Sequence, residues 1–211
     1  MKFLSALIGC TWLAFGVAQA ADAVNSEDPS ALVQTAAEAI LKDLDANREA
    51  YRKDPSKIRQ LVDAHLLPHF DVQYSARMVL GKHWKDATPE QRERFIKAFY
   101  QSMLSNYGNA LADFTAGKMK VLPSKADAEA DRATVRTEIR RSNGQPVPVN
   151  YSMHKTAEGW KAWDVTIEGI SYLKSFRDDF GSEIDQKGLD AVIDRLQRGE
   201  KPKAAAASAK S

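Results

Sequence analysis

The sequence predicts an α+β domain, with helices first, an antiparallel sheet after them and two helices to close. Three observations predict it. Apolar residues recur every four positions over two long stretches between Leu32 and Leu111, the spacing of one helix face. After Gly117 the period changes to two, the alternation of a half-buried strand. Beyond Gly169 the four-residue step returns in Tyr172, Phe176 and Phe180.

Each element follows from local chemistry. From Pro29, the residues Leu32, Ala36, Ile40 and Leu44, with Val33 and Leu41 beside them, make an amphipathic helix over 30–50. The stretch "DPSKIRQLVDAHLL" turns Ile58, Leu61, Val62 and Leu66 inward, and Pro68 ends it. In "FDVQYSARMVLG", Asp71 can cap a third helix and Gly81 can close it. The strongest start signal is "TPEQ": Thr88 as N-cap, Pro89 as the first helical residue and Gln91 as capping-box partner. From there Phe95, Phe99, Met103, Tyr107 and Leu111 share one face of what reads as the longest helix.

Four strands follow in "KMKVLPS", "RATVRTEIRRS", "QPVPVNYSMHK" and "GWKAWDVTIEG", with hairpin signals at Asn143-Gly144 and "TAEG". One face carries Val135, Ile139, Val147, Val149, Tyr151, Met153, Trp163, Val165 and Ile167. The other carries Arg136, Glu138, Asn150 and Asp164, so the sheet is expected to be wet on one side. Ser171 is a good N-cap for a helix over Tyr172 to Phe180, and a last helix covers Leu189 to Leu196.

The ends of the chain carry targeting information. Residues 1–20 combine one lysine, an apolar run and Ala18-Gln19-Ala20, the pattern of a secretory signal peptide cleaved after Ala20. A rival reading takes "LIGC" as a lipoprotein processing site with a lipid on Cys10, but the apolar run continues well past that cysteine. Cleavage removes the single cysteine and leaves 191 of the 211 residues, with 29 basic side chains against 28 acidic ones. No disulfide or thiol chemistry is then available, and nothing in this balance suits nucleic acid. Residues 21–198 form one domain, and 199–211, Ala/Lys-rich without an apolar face, form a disordered tail.

No catalytic set stands out. His65 and His69 have the four-residue spacing of a metal pair on one helix face, but Pro68 lies between them. "EGISY" lacks the second glycine of a nucleophile elbow. Asp178 and Asp179 are adjacent, so on a helix they point about 100° apart. What the chain does supply is adaptable apolar surface: Met78, Met103 and Met153, with Tyr100, Tyr107, Tyr151 and Tyr172. Such residues pack ordinary cores, and they also suit the lining of a greasy cavity.

Two stretches, "HFDVQYSARMVLGKHWKDATPEQRERFIKAFYQSMLSNYGNAL" (69–111) and "WDVTIEGISYLKSFRDDF" (163–180), resemble the toluene-tolerance, or MlaC, family of periplasmic phospholipid-binding proteins. The departures are small: Tyr172 stands where an aliphatic residue is more usual, and Phe176 where a tyrosine is. The resemblance implies a fold related to nuclear transport factor-like domains, N-terminal helices packed on a four-stranded antiparallel sheet, and a deep apolar cavity for the acyl tails of a phospholipid. It implies a periplasmic monomer, not an enzyme. This carrier would shuttle lipid between an outer-membrane lipoprotein–porin complex and an inner-membrane ABC transporter bearing an MCE-domain protein, maintaining outer-membrane lipid asymmetry. No cofactor and no nucleic acid enter. By position, Val149, Tyr151, Val165, Ile167, Gly169, Ile170 and Tyr172 fall in the family's cavity region, and Met78, Phe99, Met103 and Tyr107 join them from the helices. Lys82, Lys85, Arg92 and Arg94 are candidate docking charges, or a solvated helix end. A small periplasmic enzyme of related fold, and a lipid-free scaffold, are the rival readings.

Overall fold

A computed structural model describes residues 28–54, 56–113, 119–123, 131–140 and 144–200, so the signal peptide and the tail beyond Glu200 lie outside the described residues, as does Asn143. Among the described residues seven α-helices and five strands follow one another in the order the sequence suggests, helices first, then the sheet, then two closing helices. Helix α1 (Pro29–Lys53) is capped by Asp28, whose carboxylate accepts from Ser30 N and Ala31 N, and it kinks at Asn47 (φ −119°, ψ 16°). Helix α2 (Ser56–His65) is followed by a 3₁₀ turn at Leu67–His69. Asp71 caps α3 (Val72–Leu80) through Tyr74 N. A one-turn α4 (His83–Asp86), invisible to periodicity at that length, precedes α5 (Pro89–Asp113).

The capping box at the start of α5 is reciprocal: Gln91 N donates to Thr88 Oγ1 at 3.1 Å, and Thr88 N donates to Gln91 Oε1 at 3.0 Å. At 25 residues α5 is matched by α1, so it is not the longest helix alone.

The sheet is an antiparallel meander of five strands in sequence order: β1 (Lys120–Val121), β2 (Arg132–Arg140), β3 (Pro146–Thr156), β4 (Gly159–Ile167) and β5 (Ile170–Ser171). The fifth, a two-residue strand, was hidden in the cap of the next helix. It folds back on β4 through Glu168 (φ 51°) and Gly169 (φ 84°), two left-handed residues that make a tight hairpin turn. A Cβ at Gly169 would meet nothing within 4 Å, so the demand for glycine there is conformational.

One feature of the sheet departs from simple alternation. Ser152 pairs with Asp164 while Met153 pairs with Ala162, which leaves Trp163 as the extra residue of a β-bulge. The bulge removes Trp163 from the row of Val165 and Ile167, and Trp163 packs instead against the helical core. Asp164 stays opposite Val165 on the face of Ser152, but it is 7% exposed there and not wet, because the start of α6 covers it. The rest of that face does meet water at Arg132, Thr134, Arg136, Arg140, Pro146 and Pro148. Helices α6 (Tyr172–Lys187) and α7 (Leu189–Gln197) close the chain, with Ser171 capping α6 through Lys174 N.

Helix α3 meets the free edge of β4, where Asp71 N donates to Ala162 O at 2.8 Å and Ser75 Oγ to Trp163 O at 2.6 Å. Among the described residues, buried apolar side chains then form three clusters. The largest joins α3, α5, α6 and α7 around Phe95, Phe176 and Phe180. A second seats Leu32 and Val33 of α1 on Val135, Met153, Trp160 and Ala162 of the sheet. A third holds the far half of α1 to α2 around Leu44, Ile58 and Leu61.

Candidate functional site

The register of the sheet assembles a row that no single strand shows. Val121 pairs with Thr137, Thr137 with Val149, Val149 with Ile167 and Ile167 with Ile170, so these five side by side form one rung of the α1-bearing face. The next rung is Val135, Tyr151 and Val165, and the one after it Ala133, Met153 and Ala162. Cross-strand neighbours sit about 4.5–5.5 Å apart, so each rung is a continuous strip. Five of the residues expected at the site, Val149, Tyr151, Val165, Ile167 and Ile170, are thereby brought together on two adjoining rungs, with Gly169 shaping their edge.

Exposure changes along these rungs. Met153 is 1% exposed and Val135 is fully covered, both sealed in the cluster beneath α1. Tyr151 packs against that cluster yet keeps part of its surface accessible, as do Val165 and Ile167 on the neighbouring strand. Ile170, at the hairpin edge, is 54% exposed. Burial nevertheless pushes the Tyr151 phenol up to about 12, with Thr137 acting weakly in the opposite direction. Tyr151 is thus enclosed by the fold without being wholly covered. Thr137, wholly buried, is satisfied by donating to Val149 O at 2.8 Å.

The helical candidates form a separate group. Phe99 is stacked on Phe95 (centroids 5.7 Å) and edge-on to Phe176 (5.6 Å), inside the closed aromatic core. Met78, Met103 and Tyr172 border that core with partly accessible surface. Tyr107 lies on α5, but its side chain falls outside the described residues. Thr137, buried in the middle of its rung, carries no signal in the sequence beyond alternation, whereas Met153 is one of the methionines the sequence offers as adaptable apolar surface.

Other candidates have structural partners. Lys82 pairs with Asp185 at 2.9 Å, Arg94 with Asp190 and Asp194 at 2.9 and 3.0 Å, and Arg92 lies over the Trp84 ring at 5.0 Å. Lys82 thus ties the turn before α4 to α6, while Arg94 and Arg92 hold α5 to α7 and α4. His65 ends α2 and lies 3.6 Å from Asp43, while burial, with Lys161 and His65 nearby, lowers His69. Among the described residues no cluster of three or more His, Cys, Asp or Glu side chains suits a metal ion, and no helix is long and apolar enough to cross a membrane. A recess by the β3–β4 turn is lined by Asp71, Gln73, Glu158 and Lys161 among others, and its charges are paired within it or with His154.

The class this frame defines is an α+β fold whose described apolar surface is divided between closed clusters and a partly accessible strip of sheet. The chain belongs to the MlaC family: the family model described as MlaC protein matches residues 34–198. It is 34% identical over 174 residues to the toluene tolerance protein ttg2D of Pseudomonas putida, covering 81% of this chain and 80% of that one. It is 29% identical over 179 residues to the intermembrane phospholipid transport system binding protein MlaC of Haemophilus influenzae, covering 83% and 84%. A solved phospholipid-binding protein from Ralstonia solanacearum, in complex with a phospholipid, superposes with a TM-score of 0.77 at 26% identity, covering 86% of this chain and 99% of that one.

Proposed function

We propose that the protein is a periplasmic phospholipid carrier, monomeric and without enzymatic activity, delivered by the signal peptide at residues 1–20. It exchanges lipid with an outer-membrane lipoprotein–porin complex and with an inner-membrane ABC transporter bearing an MCE-domain subunit, and so maintains outer-membrane lipid asymmetry. The observation that carries the reading is the pair of apolar rungs at Val149–Ile167 and Tyr151–Val165, on which Tyr151, Val165 and Ile167 keep part of their surface accessible, in a fold shared with a protein solved around a phospholipid. An enzyme would need a carboxylate or histidine on those rungs. The buried Asp164 instead holds the start of α6, and His154 turns to Asp71 at 3.1 Å.

Energetics favour a carrier over a receptor. Burying about 30 methylenes at about 0.8 kcal/mol each releases about 24 kcal/mol from water, beyond the practical affinity ceiling of about 18–21 kcal/mol. The lipid comes from a bilayer, however, so pocket and source are nearly matched and net transfer is decided by the partners. Solvent extraction and mass spectrometry of protein gently purified from an intact envelope tests the reading. Stoichiometric diacyl phospholipid with little head-group preference is expected, and lipid-free protein overturns it.

A further inference from the structure

Arg48, Arg59, Arg94, Arg195 and Arg198 each lie within 4.0 Å of a carboxylate. Three arginines on the outer face of β2 bond instead to neutral acceptors: Arg132 donates to the Tyr74 hydroxyl at 3.1 Å, Arg136 to Pro123 O at 3.3 Å and Arg140 to Gly144 O at 3.3 Å. Such bonds hold the side chains without neutralising them. All three are exposed and lie four residues apart on one strand, so they share a face and stand about 13 Å from one another. Glu138, the acid in that row, has Lys120 as its cross-strand neighbour, and Asp131 stands one residue before the row. Four cations against two acids leave this edge with an excess of two positive charges, in a mature chain of 29 basic and 28 acidic side chains. Beside the row, β3 presents Pro146, Pro148, Asn150 and Ser152, which are short and uncharged. Among the described residues the large apolar side chain left exposed, Ile170, pairs into the opposite face.

We propose that this outer sheet face docks the protein on an anionic phospholipid bilayer through Arg132, Arg136 and Arg140. The proposal goes beyond lipid carriage and does not depend on it. Guanidiniums about 13 Å apart cannot converge on one phosphate or one carboxylate, so the surface they fit is an extended array of negative charge. Protein interfaces centre on aromatic or aliphatic anchors seated in pockets, and among its described residues this face shows neither. A bilayer surface asks only for spaced positive charge on a flat patch. Each arginine near such a surface strengthens binding by about fivefold, equivalent to ~1 kcal/mol. The row also has a direction. Arg140 lies opposite Pro146, and Pro148 O accepts from Glu168 N at 3.0 Å, so the Arg140 end adjoins the turn that carries Ile170. Docking by this face therefore brings the Ile170 edge of the sheet to the lipid surface.

The test is co-sedimentation of the purified mature protein with vesicles of phosphatidylcholine alone and of equimolar phosphatidylcholine and phosphatidylglycerol. Binding is expected on the anionic vesicles only, and it should vanish as salt rises from about 0.1 M to about 1 M and the screening length falls from about 10 Å to about 3 Å. Arg136→Gln and Arg140→Gln should each weaken partitioning by about fivefold, and the triple variant with Arg132→Gln by up to about a hundredfold. Arg48→Gln and Arg198→Gln change the net charge equally but remove acid-paired cations, so they should leave partitioning unchanged. Should Arg132→Gln disturb its contact with Tyr74, the Arg136/Arg140 double variant decides by itself. Equal binding to both vesicle types, binding to neither, or a triple variant that binds like the parent overturns the proposal. Retention on a polyglutamate matrix that is lost in the triple variant, with no binding to anionic vesicles, assigns the face to an acidic protein surface and overturns the bilayer. Co-purified lipid, read separately by mass spectrometry, tests carriage, so either result can fail without the other.

Discussion

Asp164 and Ser171 form the joint between sheet and closing helices: Ser171 Oγ donates to Asp164 Oδ2 at 2.7 Å while accepting from Lys174 N at 3.0 Å. The other carboxylate oxygen accepts from Leu173 N at 3.0 Å. One buried acid thus satisfies the first turn of α6 directly and through a serine, and its charge faces the positive end of the helix. Asp164→Ala is expected to destabilise the domain by about 2–3 kcal/mol, because it orphans a buried N–H and a hydroxyl together. Asp164→Asn should cost less. Urea denaturation measures both, and an alanine variant as stable as the parent refutes the joint.

Two residues on one sheet face should respond oppositely to the same change. Ile167 borders accessible space, so aspartate there can reach water: Ile167→Asp is expected to fold and lose its lipid. Val135 is fully covered beneath α1, and an unpaired charge there costs several kcal/mol, so Val135→Asp should not fold. Thermal melts with lipid analysis check the contrast, and an unfolded Ile167→Asp variant would favour an ordinary filled core.

The kinked half of α1 carries an acid-sensitive contact. A hydrogen bond from Tyr51 holds the Asp43 carboxyl below its ordinary 3.8, with Asn47 and His65 contributing and burial opposing. Because the folded carboxyl releases its proton more readily than the unfolded one, its stabilisation is present above about pH 4 and is lost as pH falls through the folded value. Asp43→Asn should therefore be less stable than the parent at neutral pH, with the gap closing in acid. Denaturation series at several pH values test this, and a gap independent of pH contradicts it.

Lipid exchange with protein-free vesicles should be slow, and exchange with reconstituted partner complexes fast. Each methylene exposed on the way across adds about 0.8 kcal/mol to the barrier, so even part of one chain makes spontaneous release rare. Partner docking must cover that path or stabilise an open state. A fluorescent-lipid transfer assay reads the rates, and equal rates to bare liposomes and to partners would sink the argument.

Helix starts were the most legible part of the sequence, because each is written in a few adjacent residues: Thr88 with Gln91, Asp71, Ser171. Register was less so. The bulge at Trp163 exists only as a mismatch between two strands, and alternation read along β4 alone puts Trp163 in the row of Val165 and Ile167, whereas Asp164 keeps the side alternation gives it and differs only in being buried. Burial of Asp164 depends on a helix start seven residues onward, which periodicity cannot see. Of the candidate lining, the strand residues Val149, Tyr151, Val165 and Ile167 do share one face, since a period of two fixes sidedness. Phe99 shows the converse: a helix presents several faces, and its aromatic spacing fits the closed core against Phe176 as well as any cavity.

The division of the described apolar residues into three clusters bears on how the molecule opens. Most domains carry one contiguous core, but here the clusters are bridged by long helices: α1 enters the second and third, and α5 supplies Phe95 to the first and Leu104 to the third. Cooperativity of unfolding is therefore transmitted along two rods. Amide hydrogen exchange should resolve separate opening free energies for the α6–α7 block, the α1-bearing sheet and the α2 corner. A bound acyl chain would act as a mobile fourth core, and occupancy would be felt as a tightening of the whole exchange pattern.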